Sequence, residues 1–91
     1  MPTHVVKRKT GHQELYDERK VYASCYAACL NASLPKEEAE ALCDTVTKEV
    51  NAWIAGKDIV SSQEIFEQTT RSIEKLHKGA GFMYKTHRDI S

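Results

Sequence analysis

The segment from Val5 to Lys20 constrains this chain most, because it sets a strand, a turn, a second strand and a helix start in immediate succession. Val5 and Val6 are β-branched, and Thr10-Gly11-His12-Gln13 is a polar run centred on a glycine, so the spacing predicts a β-hairpin. Asp17 is a favourable helix N-cap. Tyr16 before it and Val21 after it hold the positions of a hydrophobic staple, which fixes the angle at which hairpin enters helix. That geometry gathers Lys7, Arg8 and Lys20 in one small region, with Glu14 beside them. Cations next to the unpaired N–H groups of a helix start make a natural anion site. The competing reading of the same Lys-Arg-Lys run is a solvated hairpin edge that resists aggregation, with Glu14 as a mere cross-strand partner of Lys7.

The remaining pattern is mostly helical. A first helix is expected from about Glu18 to Asn31, with Val21, Tyr22, Cys25, Ala28, Cys29 and Ala32 at helical period. Asn31 to Pro35 breaks it, with Pro35 suited to the first turn of the next helix. That second helix, about Lys36 to Ala55, buries Ala39, Leu42, Cys43, Val46, Val50, Trp53 and Ile54, and Gly56 supplies a left-handed cap. Ile59-Val60 predicts a brief third strand, and Ser61 with Glu64 spells a capping box, with Val60 and Ile65 as a second staple. A third helix then buries Ile65, Phe66, Thr69, Ile73 and Leu76 and ends before Gly79. Gly79-Ala80-Gly81 reads as a joint, followed by a short fourth helix from Phe82 to Ile90. Tyr16, Tyr22, Tyr26, Trp53 and Phe66 are expected in the core. The pattern is that of a mostly helical α+β chain, with a hairpin, a third strand and four helices.

Ninety-one residues, 41% hydrophobic and 29% charged, suit one globular domain over residues 1–91. Net charge is zero but unevenly spread: Lys7, Arg8 and Lys9 open the chain, Glu37, Glu38, Glu40, Asp44 and Glu49 crowd its middle, and Lys75 to Arg88 carries no acid. Nonspecific nucleic-acid binding needs a larger basic excess, whereas one polyanionic ligand fits a local cluster. Residues 1–20 hold no apolar core segment, so no signal peptide is expected, and no apolar run is long enough to span a membrane. Cys25, Cys29 and Cys43 fall on expected helices, with Cys25 and Cys29 four apart on one face. They read as buried, reduced thiols of a cytoplasmic protein. A metal site is the lesser reading, since no Cys-x-x-Cys pair is present and no histidine has ligand spacing to them.

The blocks Val5, Lys7-Arg8, Gly11, Glu14, Tyr16-Asp17 and Lys20-Val21 have the order of a known opening, Val-x-Lys-Arg, glycine turn, Glu-x-aromatic-Asp-x-x-Lys-aliphatic. With Ile59-Val60-Ser61-Ser62-Gln63-Glu64-Ile65 and the closing His87-Arg88-Asp89-Ile90, the chain from His4 onward resembles the ATP-cone, the regulatory nucleotide-binding domain of ribonucleotide reductases and of their transcriptional repressors. Lys9-Thr10-Gly11 is one residue longer than the family's usual Asp-Gly turn, and Phe66 stands where some members carry histidine. The resemblance implies a four-helix bundle capped by a small three-stranded β-sheet, made of the N-terminal hairpin plus the short third strand.

It also implies a ligand, ATP or dATP, with or without Mg2+, held between hairpin and bundle by Val5, Lys7, Arg8, Glu14, Lys20, Ser62 and Lys85, with Arg88 as the alternative to Lys85. The side chains suit those roles. Val5 offers adenine an apolar wall, Lys7, Arg8 and Lys20 meet phosphates, with Arg8 able to bind two oxygens at once, and Glu14 accepts from ribose or base. Gly79-Ala80-Gly81 is no phosphate loop, because the Walker spacing and its Lys-Ser/Thr are missing. No nucleophile–base arrangement and no metal-binding acidic pair accompanies the basic cluster, so no catalysis and no resident metal are expected. The implied role is an allosteric sensor, either a free-standing cone or an excised piece. Its partners would be the purine nucleoside triphosphate and either a second copy or a protein of the reductase or repressor type. Two further readings stand beside it: a small nucleic-acid-binding module, which the charge balance disfavours, and a helical interaction module with an empty cone.

Overall fold

Local signals place most element boundaries in the computed structural model, which describes residues 3–7 and 10–86 in full and the backbone alone for 87–90. The order is β1 (His4–Val6), β2 (Gln13–Leu15), α1 (Glu18–Asn31), α2 (Lys36–Ile54), β3 (Ile59–Ser61), α3 (Ser62–Leu76) and α4 (Lys78–Ile90). The fold is mostly helical α+β, a four-helix bundle carrying a small mixed sheet. β1 is the middle strand, antiparallel to β2 with Val5 opposite Glu14, and parallel to β3 with Val5 opposite Val60. In the bundle α1 packs on α2 and α4, and α3 packs on the same two helices.

The helix ends are set by side-chain and backbone chemistry. The Asp17 carboxylate accepts from the Arg19 backbone N–H at 3.0 Å, and the Arg19 guanidinium returns to the same carboxylate through Nε and Nη2 at 3.0 and 3.1 Å. α1 closes in a Schellman motif: Leu34 N–H donates to the Cys29 carbonyl and Ser33 N–H to that of Leu30, both at 3.0 Å. The motif needs a left-handed residue, and Ser33 takes it at φ 64°, where glycine would be unstrained. Leu34, the next residue, is buried in the same core cluster as Cys29. Pro35 sits one position earlier than expected, at the N-cap of α2, where it gives no side-chain bond but its carbonyl accepts from Ala39 at 2.9 Å. The capping box at α3 forms as read: Ser61 Oγ accepts from Glu64 N–H at 3.0 Å, and Glu64 Oε1 accepts from Ser61 N–H at 2.9 Å.

Two expectations need correction. Gly79-Ala80-Gly81 is not a joint but the first turn of α4. The joint is His77, in extended backbone, whose N–H ends α3 on the Ile73 carbonyl at 2.7 Å while its Nδ1 accepts from Ala80 N–H at 3.0 Å. One histidine thus caps two helices, which is why the glycines can stay helical. Leu76 is 44% exposed rather than buried, because α3 ends at this residue and its face turns away from the bundle.

The core is built from the inner faces of all four helices. Cys25, Cys29, Cys43, Val46, Val50 and Ile73 are fully buried, with Val21, Leu34, Ala39, Ile54 and Ala80 around them. Tyr16, Tyr22, Tyr26, Leu42, Trp53 and Ile65 pack against this cluster half-buried, and Phe66 is buried and stacks on Tyr84 with centroids 5.4 Å apart. At the other end of the core, Thr3 Oγ1 donates to the Lys57 carbonyl at 2.6 Å and His4 N–H to that of Asp58 at 2.9 Å, which pins β1 to the loop before β3. No helix among the described residues is long and apolar enough to cross a membrane.

Candidate functional site

Cross-strand geometry decides which hairpin residues meet. Val5 lies opposite Glu14 and Val60, so those three share one sheet face, and Val5 and Val60 bury theirs against the bundle. Lys7, two residues on from Val5, returns to that face at the hairpin end. There the Lys7 N–H donates to the His12 carbonyl at 2.9 Å, the Gly11 N–H to the Lys7 carbonyl at 2.8 Å, and Gly11 takes φ 68°, a left-handed turn position. Thr10 Oγ1 accepts from His12 N–H at 3.2 Å and stiffens the loop.

Two of the expected cations, Lys7 and Lys20, converge, and a carboxylate stands between them. Glu14 Oε1 lies 3.1 Å from Lys20 Nζ and 3.9 Å from Lys7 Nζ. The hydrogen bond from Lys20, helped by the charges of Lys20 and Lys7, holds the Glu14 carboxyl below the ordinary glutamate range. The cross-strand role for Glu14 is therefore realised, and a wider one with it, since it serves strand β1 and helix α1 together. The helix start is less open than expected: Arg19 N–H donates to the Asp17 side chain and Lys20 N–H to the Asp17 carbonyl at 3.1 Å.

Of the other expected site residues, Arg8 and its neighbour Lys9 lie outside the described residues, as does the side chain of Arg88. Val5 is only 7% exposed, so its side chain is core rather than open wall. Ser62, half-buried at the start of α3, follows Ser61, which pairs with Val6; one residue beyond that pair on each strand, Ser62 and Lys7 share an end of the sheet. Lys85 is exposed on α4 and takes no part in the Lys7–Glu14–Lys20 group.

Two arrangements were not expected from sequence. Tyr16 donates its hydroxyl to Asn51 Oδ1 at 2.7 Å, and Asn51 Nδ2 donates to Glu18 Oε2 at 2.7 Å, a chain that ties the end of β2 and the start of α1 to α2. It borders a groove between α1 and α2 lined by Glu18, Arg19, Tyr22, Asp44, Thr47 and Lys48, whose acids offset its bases and leave no cationic excess for an anion. The second arrangement joins Cys43 to Cys25 and Cys29: the three Sγ atoms lie within 4.8 Å of one another. A signal existed, since Cys25 and Cys43 are equally far from Leu34 along the chain and an antiparallel helix pair turning there brings them level.

No protein-family model matches the chain, and no curated protein matches it.

Proposed function

We propose that the chain is a non-catalytic sensor of a purine nucleoside triphosphate, ATP or dATP, with the ligand held where hairpin, α1 and α3 meet. The observation that carries this reading is the gathering of Lys7, Lys20 and Glu14 at one end of the sheet, with Ser62 at the same end. It is supported by the agreement between the element order here and that implied by the resemblance to ATP-cones.

In this reading Glu14 is a placeholder. Phosphate oxygens replace its carboxylate as acceptor for Lys7 and Lys20, Arg8 adds a two-pronged contact, and Glu14 turns to the ribose or base. Because Val5 is buried, adenine reaches it only if the hairpin lifts from the bundle. Ligand binding and hairpin position are then one event, which is what a sensor needs. The hairpin's new position changes contacts with a second copy or with a protein of the reductase or repressor type. Mg2+, where it accompanies the triphosphate, is held by phosphate oxygens. No residue of the cluster acts as base or nucleophile, so the nucleotide leaves unchanged.

A second reading has its own observation. Glu14 already satisfies both lysines, as it would in a helical interaction module whose cone is empty. ATP titration followed by thermal shift and backbone NMR separates the two. The sensor gives resonance shifts at Lys7, Glu14, Lys20 and Ser62 and a stabilisation of about 2.7 kcal/mol at a hundredfold excess over Kd. No response to ATP or dATP leaves the empty module, and a nucleic acid competing better than ATP refutes both. Phosphate release by pure protein that vanishes in Lys7→Ala would refute the absence of catalysis.

A further inference from the structure

The three cysteines form a cluster that the nucleotide reading does not use. Cys25 and Cys29 stand one turn apart on the inner face of α1, and Cys43 faces them from α2. All three are 0% exposed, none is in a disulfide, and the cluster around them is apolar: Val21, Leu34, Ala39, Val46, Val50 and Ile73.

Spacing and charge together select what such a site can hold. Three sulfurs held at about 2.3 Å by one atom lie at most about 4.0 Å apart, and about 3.5 Å apart when the centre is pyramidal. The sulfurs here lie within 4.8 Å of one another, so binding draws α1 and α2 together by up to roughly 1.3 Å. Tetrahedral zinc needs a fourth ligand, and among the described residues no histidine or carboxylate joins the three sulfurs. Net charge narrows the choice further. Three thiolates around a monovalent ion leave two negative charges, and around a divalent ion one, in an apolar core where an uncompensated charge is very unfavourable. Only a trivalent centre closes the site neutral.

We propose that Cys25, Cys29 and Cys43 form a buried three-sulfur site for a trivalent thiophilic metalloid, the chemical class of arsenous acid, held as a neutral tris-thiolate. One cysteine sulfur attacks arsenic and a hydroxide leaves, taking the thiol proton as water. The other two repeat the exchange. Three S–H and three As–OH bonds break, three As–S bonds form and three waters depart, with arsenic trivalent throughout and no oxidant or reductant consumed. Entry requires transient separation of α1 from α2, and the bound centre then links the two helices at three points.

The test uses the wild-type chain, reduced with a phosphine and titrated with sodium arsenite. Expected are one arsenic per chain, an intact mass increased by one arsenic less three hydrogens, loss of all three thiols to a thiol reagent added in denaturant, and a higher Tm. Binding to the folded chain should be tenfold or more tighter than to the chain in guanidinium, since folding holds the sulfurs together. Cys43→Ser should lose arsenite while keeping the helical circular dichroism. Uptake with only two hydrogens lost and one thiol still reactive, equal affinity in guanidinium, or protection of the thiols by Zn(II) or Cu(I) but not by arsenite overturns the proposal.

Discussion

Gly81→Ala should destabilise this protein, although alanine is the better helix former. A Cβ built on Gly81 lies 2.4 Å from Glu74 Cγ, 3.0 Å from Glu74 Cα and 3.1 Å from Glu74 N. Non-bonded carbons prefer roughly 3.5–4.0 Å, so the α3 backbone has to retreat by about half an ångström. Swinging the Glu74 side chain aside relieves only the first contact. Overpacking of this kind costs about 1–3 kcal/mol, against a gain of about 0.8–1.0 kcal/mol in helix propensity. The net loss is about 0–2 kcal/mol, centred near 1, which for a chain of this size lowers Tm by up to roughly 15 °C. Urea unfolding followed by circular dichroism should give a lower midpoint at unchanged slope. Gly79→Ala is the control: its Cβ meets only the His77 ring, at 3.1 and 3.4 Å, and a shift of a few tenths of an ångström relieves the contact while the ring keeps its bond to Ala80 N–H. With the same gain of up to about 0.8–1.0 kcal/mol and no backbone clash against it, its Tm should hold or rise, by no more than roughly 8 °C. Adding Glu74→Ala to Gly81→Ala should recover less than half of the loss. A Gly81→Ala protein more stable than wild type would refute the close approach of α3 and α4.

Arg8→Ala should weaken ATP binding roughly tenfold or more and Lys9→Ala about threefold or less at physiological salt, because a charge-assisted contact is worth ~1.5–3 kcal/mol while a solvated lysine is screened; calorimetry decides, and the reverse order means the hairpin register is shifted by one. Tyr16→Phe should cost ~0.5–1.5 kcal/mol at neutral pH by removing the hydrogen bond to Asn51. It should also flatten the alkaline limb of stability: burial, with Glu18 and Asp17 nearby, pushes the Tyr16 phenol up to about 12 from 10.0, so its contribution is complete below 10.0 and is lost as pH rises through about 12. An unchanged alkaline limb in the pH series of urea midpoints would count against that assignment. Ser61→Ala should cost ~0.5–2 kcal/mol and raise hydrogen exchange at the Glu64 amide, which loses its acceptor.

Where a side chain bonds to its own neighbourhood, the sequence was legible. Asp17, the Ser61–Glu64 box and Gly56 act within one turn, and the helices begin and end close to where they point. The Lys7–Glu14–Lys20 group was legible for the same reason, since hairpin and N-cap are both local devices. What depends on distant chain was not. Gly79 and Gly81 suggest a break on propensity alone, yet α3 lies so close that only glycine fits at 81, and His77 caps the helix they open. Tyr16 reaching Asn51 requires knowing how α2 lies on α1, and the equal spacing of Cys25 and Cys43 from Leu34 becomes a signal only once the two helices are taken as antiparallel. The sheet order was equally hidden, because nothing in Ile59-Val60-Ser61 announces a parallel partner at the far end of the sequence.

β1 is only three residues long, yet it is the single neighbour of both other strands. β2 lies just after it in the chain, whereas β3 is separated from it by α1 and α2. Neither flank can touch the other, so the sheet has no partial form that survives without its middle. Closing it requires the N-terminal segment to wait until the helices have carried β3 back, a long-range closure of the kind that folds late. A substitution that breaks the pairing of β1 therefore acts on the whole sheet at once, while the hairpin and the α3 cap hang from the same strand by opposite edges. Any tug on one is felt at the other through a backbone ribbon with no slack between them.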